Sequence, residues 1–524
     1  MKKAIKLCLV ALLLSSNIIS AQEQNPIVEN IIKEANDNSQ LKRLAHELLD
    51  VIGPRLVGTP QMKNAHDWAV KQYTKWNISA KNQEWGTWRG WERGITHIDM
   101  VYPRVQSLEG TQLAWSPSTT NKGITAELVV FPEFTGSTSF QEWLHNVEGK
   151  FVMISMKQPI GRPDYNWEEF ATEESFAKMN EDRDQYQQAW NIMLSRIGYS
   201  NNRSEARFNE EGIRILENAG AAGIVSSYWS KGFGVNKVFS SRTRNIPTIS
   251  LALEDYTMLY RMVEYGDKPK INIVAKSKKL GRDPTFNTIA EIKGTEKPDE
   301  YIILSAHLDS WDGATGATDN GTGTIIMMEA MRILNKMYPN PKRTILAGHW
   351  GSEEQGLNGS RAFVEDHPKI VKNIQAVFNQ DNGTGRVSNI SGSGYLHSYE
   401  FLTRWLNAVP KEITQHIETD FPGSPSGGGS DHASFIATGA LGFRLSSLSW
   451  SYDNYTWHTN RDTYDKIVFD DVRNNAILTA ILAYMASEDL NRASNKRRIL
   501  PIDANTGKHK TWPKQKSPTR KGGL

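Results

Sequence analysis

The sequence has almost no cysteine: Cys8 is the only one in 524 residues, and it lies inside an apolar run near the start. Disulfides, cysteine nucleophiles and thiolate metal sites are therefore excluded from the remainder of the chain, and any bound metal must sit on His, Asp and Glu. No apolar run approaches the ~20 residues needed to span a bilayer. No Gly-x-Ser-x-Gly elbow occurs, which argues against a serine hydrolase. The nearest approach to a His-Glu-x-x-His metal helix, His46-Glu47-Leu48-Leu49-Asp50, lacks the second histidine. Net charge is scarce as well. The formal +3 includes three lysines before residue 7 and nine Lys or Arg against Asp503 alone between 496 and 521; without these segments the body stands at −8. A basic nucleic-acid surface is not indicated.

What is present begins with Lys2, Lys3 and Lys6, an apolar run over 7–14, and small residues ending near Ser20 or Ala21. This reads as a signal peptide over 1–21 and predicts a secreted or periplasmic protein. The length exceeds what one core supports, so at least two compact units are expected. Apolar positions at helical spacing run through 25–76, broken at Gly53-Pro54-Arg55 and Gly58-Thr59-Pro60. From Ile124 the texture turns to short β-rich runs, followed by a charged helical stretch over 167–207 that could act as a lid. Residues 124–276 read as an inserted domain. From Asn287 strands alternate with amphipathic helices, with strands at 301–305, 344–348 and 376–380 and helices at 323–337 and 359–364. This predicts an α/β fold, a mostly parallel but mixed sheet with helices on both faces, built from 22–123 and 277–490. Ligands of such sheets collect at the carboxyl ends of the strands. Residues 491–524, basic and carrying Gly and Pro, read as a flexible tail.

Five segments carry candidate chemistry. His307 and Asp309 follow the run Ile302-Ile303-Leu304; alone, a His-x-Asp pair is usually a surface pair. Asp319 and Asn320 open a helix, where capping is the ordinary role, although a carboxylate there can also bridge two cations. Glu353 and Glu354 lie in a glycine-wrapped turn after a buried-type strand, where one carboxylate can ligate while its neighbour faces water. Asp381 follows another strand, and His458 sits in a polar loop. Each has a bland reading. Their joint occurrence at strand ends and loops does not.

Together His307-Leu308-Asp309, Ala317-Thr318-Asp319-Asn320-Gly321, Glu353-Glu354-Gln355-Gly356, Asp381, Ser430-Asp431-His432 and His458-Thr459 resemble the co-catalytic zinc aminopeptidases and carboxypeptidases. The branch containing plasma glutamate carboxypeptidase (carboxypeptidase Q) is most similar, and Gly53-Pro54-Arg55-Leu56 and Trp91-Glu92-Arg93-Gly94 look like it too. The resemblance implies a metallo-exopeptidase with two Zn²⁺ per chain acting on short peptides, dipeptides above all. Asp319 would bridge the ions, His307 and Asp381 would complete one, and Glu354 and His458 the other. Asp309 would orient His307, and Glu353 would act as general base. The insert would be a protease-associated domain roofing the site, and the Asp319–Asn320 peptide would be cis. Some relatives place an oxyanion-stabilising tyrosine before the Ser-Asp-His motif. Here that stretch is Ser426-Gly427-Gly428-Gly429, which leaves Tyr452 or Tyr455 for the role. Homodimerisation stays open. The rival classes are a non-catalytic binding protein on the same fold and a one-zinc glutaminyl cyclase.

Overall fold

The computed structural model describes residues 25–201 and 207–523; the signal peptide expected over 1–21 lies outside them. Three helices lead in. Asn25 caps the first, Pro26–Asp37, by accepting the Ile27 N–H, and Thr59 caps Pro60–Lys75 by accepting that of Met62. Both helices carry proline in the first turn, where its missing donor costs nothing.

Two long strands follow, β1 (Ser79–Tyr102) and β2 (Lys270–Ile292), paired antiparallel along nearly their whole length. Beyond them lie β3 (Lys297–His307), the helix α1 (Thr322–Met337), β4 (Arg343–Trp350), β5 (Ile374–Asn379), β6 (Gly442–Ser447) and the helix α2 (Phe469–Glu488). Strand β4 pairs parallel with β3, β3 with β5, and β5 with β6, while β2 runs antiparallel on the outer side of β4. The sheet is thus mixed with a parallel centre, as the alternation of strands and helices predicts. The central stretches Ile302-Ile303-Leu304 of β3, Ile345-Leu346-Ala347 of β4 and Ala376-Val377-Phe378 of β5 are apolar because both faces are covered there. Residues Ile302 and Leu304 pack with α1 and α2 on one face; Ile303, Leu346 and Val377 pack with Phe363 and Phe435 on the other.

The insert does not begin and end at 124 and 276. Strands β1 and β2 pass straight from one unit into the other, and Ile98, Met100 and Leu108 already belong to the insert's core with Ile271 and Ile273. Within it, the strands Ile124–Val130, Phe151–Met153, Gly223–Ser226 and Thr248–Leu251 are parallel from one to the next except that the first also pairs antiparallel with β2. The charged stretch forms the helices Asp164–Phe170 and Glu173–Ile197, the second ended by Gly198 in a left-handed conformation.

The tail reading over 491–524 needs correction, since this segment is strapped to the body. Trp512 packs on Tyr395, the Thr519 N–H donates to Asn358, Arg520 pairs with Glu365 and Asp366, and Lys521 bridges to Thr87 of β1. Arg520 finds its acidic partners more than 150 residues away in sequence, so composition alone reads as solvated.

Candidate metal centre

The chemistry-bearing residues converge where the parallel strands end. His307 is the last residue of β3, and Asp381 stands two residues past β5. Asp319 enters from the turn before α1, Glu354 from the turn after β4, and His458 from the loop after β6. His307 Nε2 lies 3.3 Å from Asp319 Oδ1 and 3.5 Å from Asp381 Oδ1. On the other side, His458 Nε2 lies 3.2 Å from Asp319 Oδ2 and 2.7 Å from Glu354 Oε2. The two oxygens of Asp319 therefore face two separate groups of donors. Within each group, His307–Asp319–Asp381 and Asp319–Glu354–His458, one donor atom from every residue falls within 4.8 Å of the others.

A cation fits these residues on two grounds. First, His307 Nε2, Asp319 Oδ2, Asp381 Oδ1 and Glu354 Oε1 are buried with no hydrogen-bond partner, an arrangement that is costly unless something else satisfies them. Second, the site is short of positive charge. Burial pulls His307 towards neutrality, yet Glu353 and Asp381 outweigh it and hold the imidazole well above its ordinary pKa. His458 is pushed up to about 9 in the same way, against burial, by Glu354 and Asp319. Burial and then Asp319 raise Glu354 to about 7, and burial with Asp431, Asp381 and Glu354 raises Glu353 well above the carboxylate range. Imidazole and carboxylate are the donors that suit zinc.

The turns that carry these ligands are stapled by side chains. Asp309 is fully buried and its carboxylate accepts the backbone N–H groups of Glu353 at 3.0 Å and Glu354 at 3.2 Å. This alters the expected role of Asp309. His307 Nδ1 bonds the main-chain oxygen of Asp309 at 3.0 Å, while the carboxylate is 3.6 Å away and is engaged with the Glu353–Glu354 turn. Asp462 does the same for the other turn, accepting from Thr318 N at 2.7 Å and Asp319 N at 3.0 Å. Arg55, fully buried, donates to the carbonyls of Gly53, Leu308, Thr315 and Gly316 and so ties together the two ends of the loop that joins His307 to Asp319. The capping role goes to Asn320, whose Oδ1 accepts the Gly323 N–H and whose amide donates to Gln380 O. Gly323 is required here, because a Cβ would lie 2.3 Å from Asn320 Oδ1 and 2.5 Å from Gln380 O. The Asp319–Asn320 peptide is cis, as the resemblance implied.

Of the two tyrosines, Tyr452 is near the metal site, with burial first and then Asp319, Asp381 and Glu354 raising its pKa well above ordinary. Tyr455 instead responds to burial and to Tyr165, Asp164 and Glu168 of the insert. His46 pairs with Asp50 on the surface at 2.9 Å, the ordinary spacing for a helical i,i+4 pair, and takes no part.

The chain is similar over most of its length to several known proteins. Carboxypeptidase Q of Bos taurus is 26% identical over 458 residues, covering 86% of this chain and 86% of its own. The crystal structure of a Peptidase M28 precursor from Shewanella amazonensis SB2B superposes with a TM-score of 0.63 at 22% identity, covering 91% of this chain and 98% of that one. BSAP, a zinc aminopeptidase from Bacillus subtilis, superposes with a TM-score of 0.54 at 18% identity, covering 87% and 97%. Residues 287–483, which hold every candidate ligand, match the model of Peptidase family M28. The segment that carries the candidate donors is thus similar to Peptidase family M28, and the chain as a whole is similar to carboxypeptidase Q.

Proposed function

We propose that the chain is a zinc-dependent exopeptidase of short peptides, holding one ion on His307, Asp319 and Asp381 and a second on Asp319, Glu354 and His458. The observation that supports this reading most is the division of Asp319: its two oxygens face two donor sets, each closed by one histidine and one further carboxylate. Two zinc ions would lower the pKa of a shared water and polarise the scissile carbonyl. The chain's own residues do the rest. Glu353 stands beside the donors, held by its N–H on Asp309, and takes the proton of the attacking water. As oxygen bonds to the carbonyl carbon and the C–N bond breaks, Glu353 passes that proton to the departing amine. Tyr452, close to the site carboxylates, donates its O–H to the oxygen on which charge develops. The full donor set argues against a non-catalytic binding protein, and two donor sets in place of one argue against a glutaminyl cyclase.

The substrate class follows from the roof. The insert leaves the chain before the first ligand and closes on the His458 loop, which favours very short peptides over folded ones. The signal pattern over 1–21 supports export to the periplasm or beyond; among the described residues no helix is long and apolar enough to cross a membrane. A panel of dipeptides with free, N-acetylated and C-amidated ends tests the specificity. A dipeptidase cuts only the doubly free form, and an aminopeptidase or a carboxypeptidase tolerates one block. Efficient cleavage of a doubly blocked peptide overturns the exopeptidase reading.

A further inference from the structure

His458, unlike His307 and Asp381, has no strand leading directly to it. It lies in the loop well beyond Ser447, where β6 ends, and its backbone is left-handed with φ 54°, a region that residues with a Cβ rarely occupy. The support for this conformation comes from the insert. The Val238 N–H donates to His458 O at 2.6 Å, and the Asn460 N–H donates to Asn236 O at 3.0 Å. Lys237 and Thr459 thereby form an antiparallel bridge between the two units. Asn460 closes the ladder with its side chain, accepting the Asn236 N–H at 2.9 Å and donating to Gly234 O at 3.0 Å. Around the imidazole the insert also supplies packing. The Phe239 ring meets His458 edge-on at 5.5 Å and Trp311 at 5.5 Å. Lys237 Nζ lies 4.0 Å from the centre of the Trp457 ring, which itself stacks on His458 at 4.1 Å, and it donates to Asp453 O at 2.7 Å.

We infer that segment 236–239 of the insert is a positioning element for His458: beyond roofing the site, the insert completes the metal centre by holding this ligand's loop in register. The inference rests on the two-ion reading above and adds an asymmetry to it. Retention of the ion held by Glu354 and His458 depends on the insert, whereas His307 ends one strand of the sheet and Asp381 follows closely on another, and neither needs it.

The test follows zinc content during stepwise competition with a small chelator such as dipicolinate. The subjects are the full chain, the double variant Lys237→Ala with Asn460→Ala, the single variants Phe239→Ala and Lys237→Arg, and Lys157→Ala as a distant insert control. The double variant is expected to release one of its two ions at ~10–100-fold lower chelator, the usual effect of losing a ligand's support, with the other ion leaving at the wild-type midpoint. Phe239→Ala, which keeps the Asn460 and Lys237 side-chain contacts that brace the ladder, shifts the same ion less. Lys237→Arg, which keeps a cation over Trp457, and Lys157→Ala follow the wild type. Thermal unfolding of the zinc-free forms, equal to that of the wild type, separates this effect from misfolding. Release of both ions together, or at the wild-type midpoint in both the double variant and Phe239→Ala, would overturn the inference. The zinc content of the unmodified chain reports on the two-ion reading; the difference between it and the variants reports on the insert, so either can fail alone.

Discussion

The two donor groups that meet at Asp319 are built by different means. His307 and Asp381 lie at the ends of adjacent parallel strands, and the β3–β5 ladder that pairs Ser305 with Asn379 sets their spacing. Glu354 and His458 come from loops, and each loop is held by groups distant in sequence: Asp309 for the Glu353–Glu354 turn, and the insert for His458. Asp319 stands between them, supplied by a turn that Asp462 and Arg55 fasten. A donor at a strand end inherits its position from the sheet. One on a loop needs a buried staple, which is why this site surrounds itself with fully engaged side chains such as Asp309 and Arg55.

The comparison breaks completely if the shared residue goes. Asp319→Ala removes the one anion facing both donor sets, so both ions should be lost and peptide hydrolysis should fall to background, read by elemental analysis alongside a dipeptide assay. Glu353→Gln sharpens it from the other side. The variant should keep both ions yet lose ~10²–10⁴-fold in kcat, because its N–H still bonds Asp309 while its side chain no longer accepts a proton. Zinc loss in that variant would move Glu353 into the ligand shell.

A smaller effect is expected from the staples. Asp462→Ala frees the Thr318 and Asp319 N–H groups and should weaken zinc retention ~10–100-fold. Asp462→Asn keeps one acceptor and should fall between this variant and the wild type. The smallest effect concerns the sheet beneath. Burial lowers both His66 and His349 to about 3, with Thr288 and Tyr73 as their hydrogen-bond partners. Their ordinary value is ~6.5, so between about pH 3 and 6.5 the unfolded chain binds protons that the folded one refuses. Their contribution to stability is complete above ~6.5 and declines as pH falls through that window. Denaturant unfolding of His349→Gln across the window should show a shallower pH slope than the wild type.

His307, Asp319, Glu354 and Asp381 stood out as candidates in the sequence because each lies beside a strand-like run, a glycine-rich turn or adjacent acids, whereas His458, in a polar loop, stood out only through the resemblance. Asp309 was legible as a site residue, yet its partner was not: the acceptor contacts are to backbone groups more than forty positions away. The same holds for Asp462 and Arg55. A lone aspartate after Arg461 and an arginine in a Gly-Pro-Arg turn carry no local signal, since their partners are main-chain atoms brought close only by the fold. The insert's boundaries were hidden for a related reason. Strands β1 and β2 pair with each other without a break from one unit into the other, so composition changes later than structure does. The tail was misread because charge pairing with Glu365 and Asp366 is a tertiary fact.

The central claim, two ions shared across Asp319, is tested most directly by zinc content per chain in purified protein, followed through chelation and re-addition. The account predicts two zinc ions per chain, hydrolysis of unblocked dipeptides that disappears on their removal, and recovery when zinc returns. A single ion per chain at full activity, or hydrolysis that survives complete removal of metal, would contradict it.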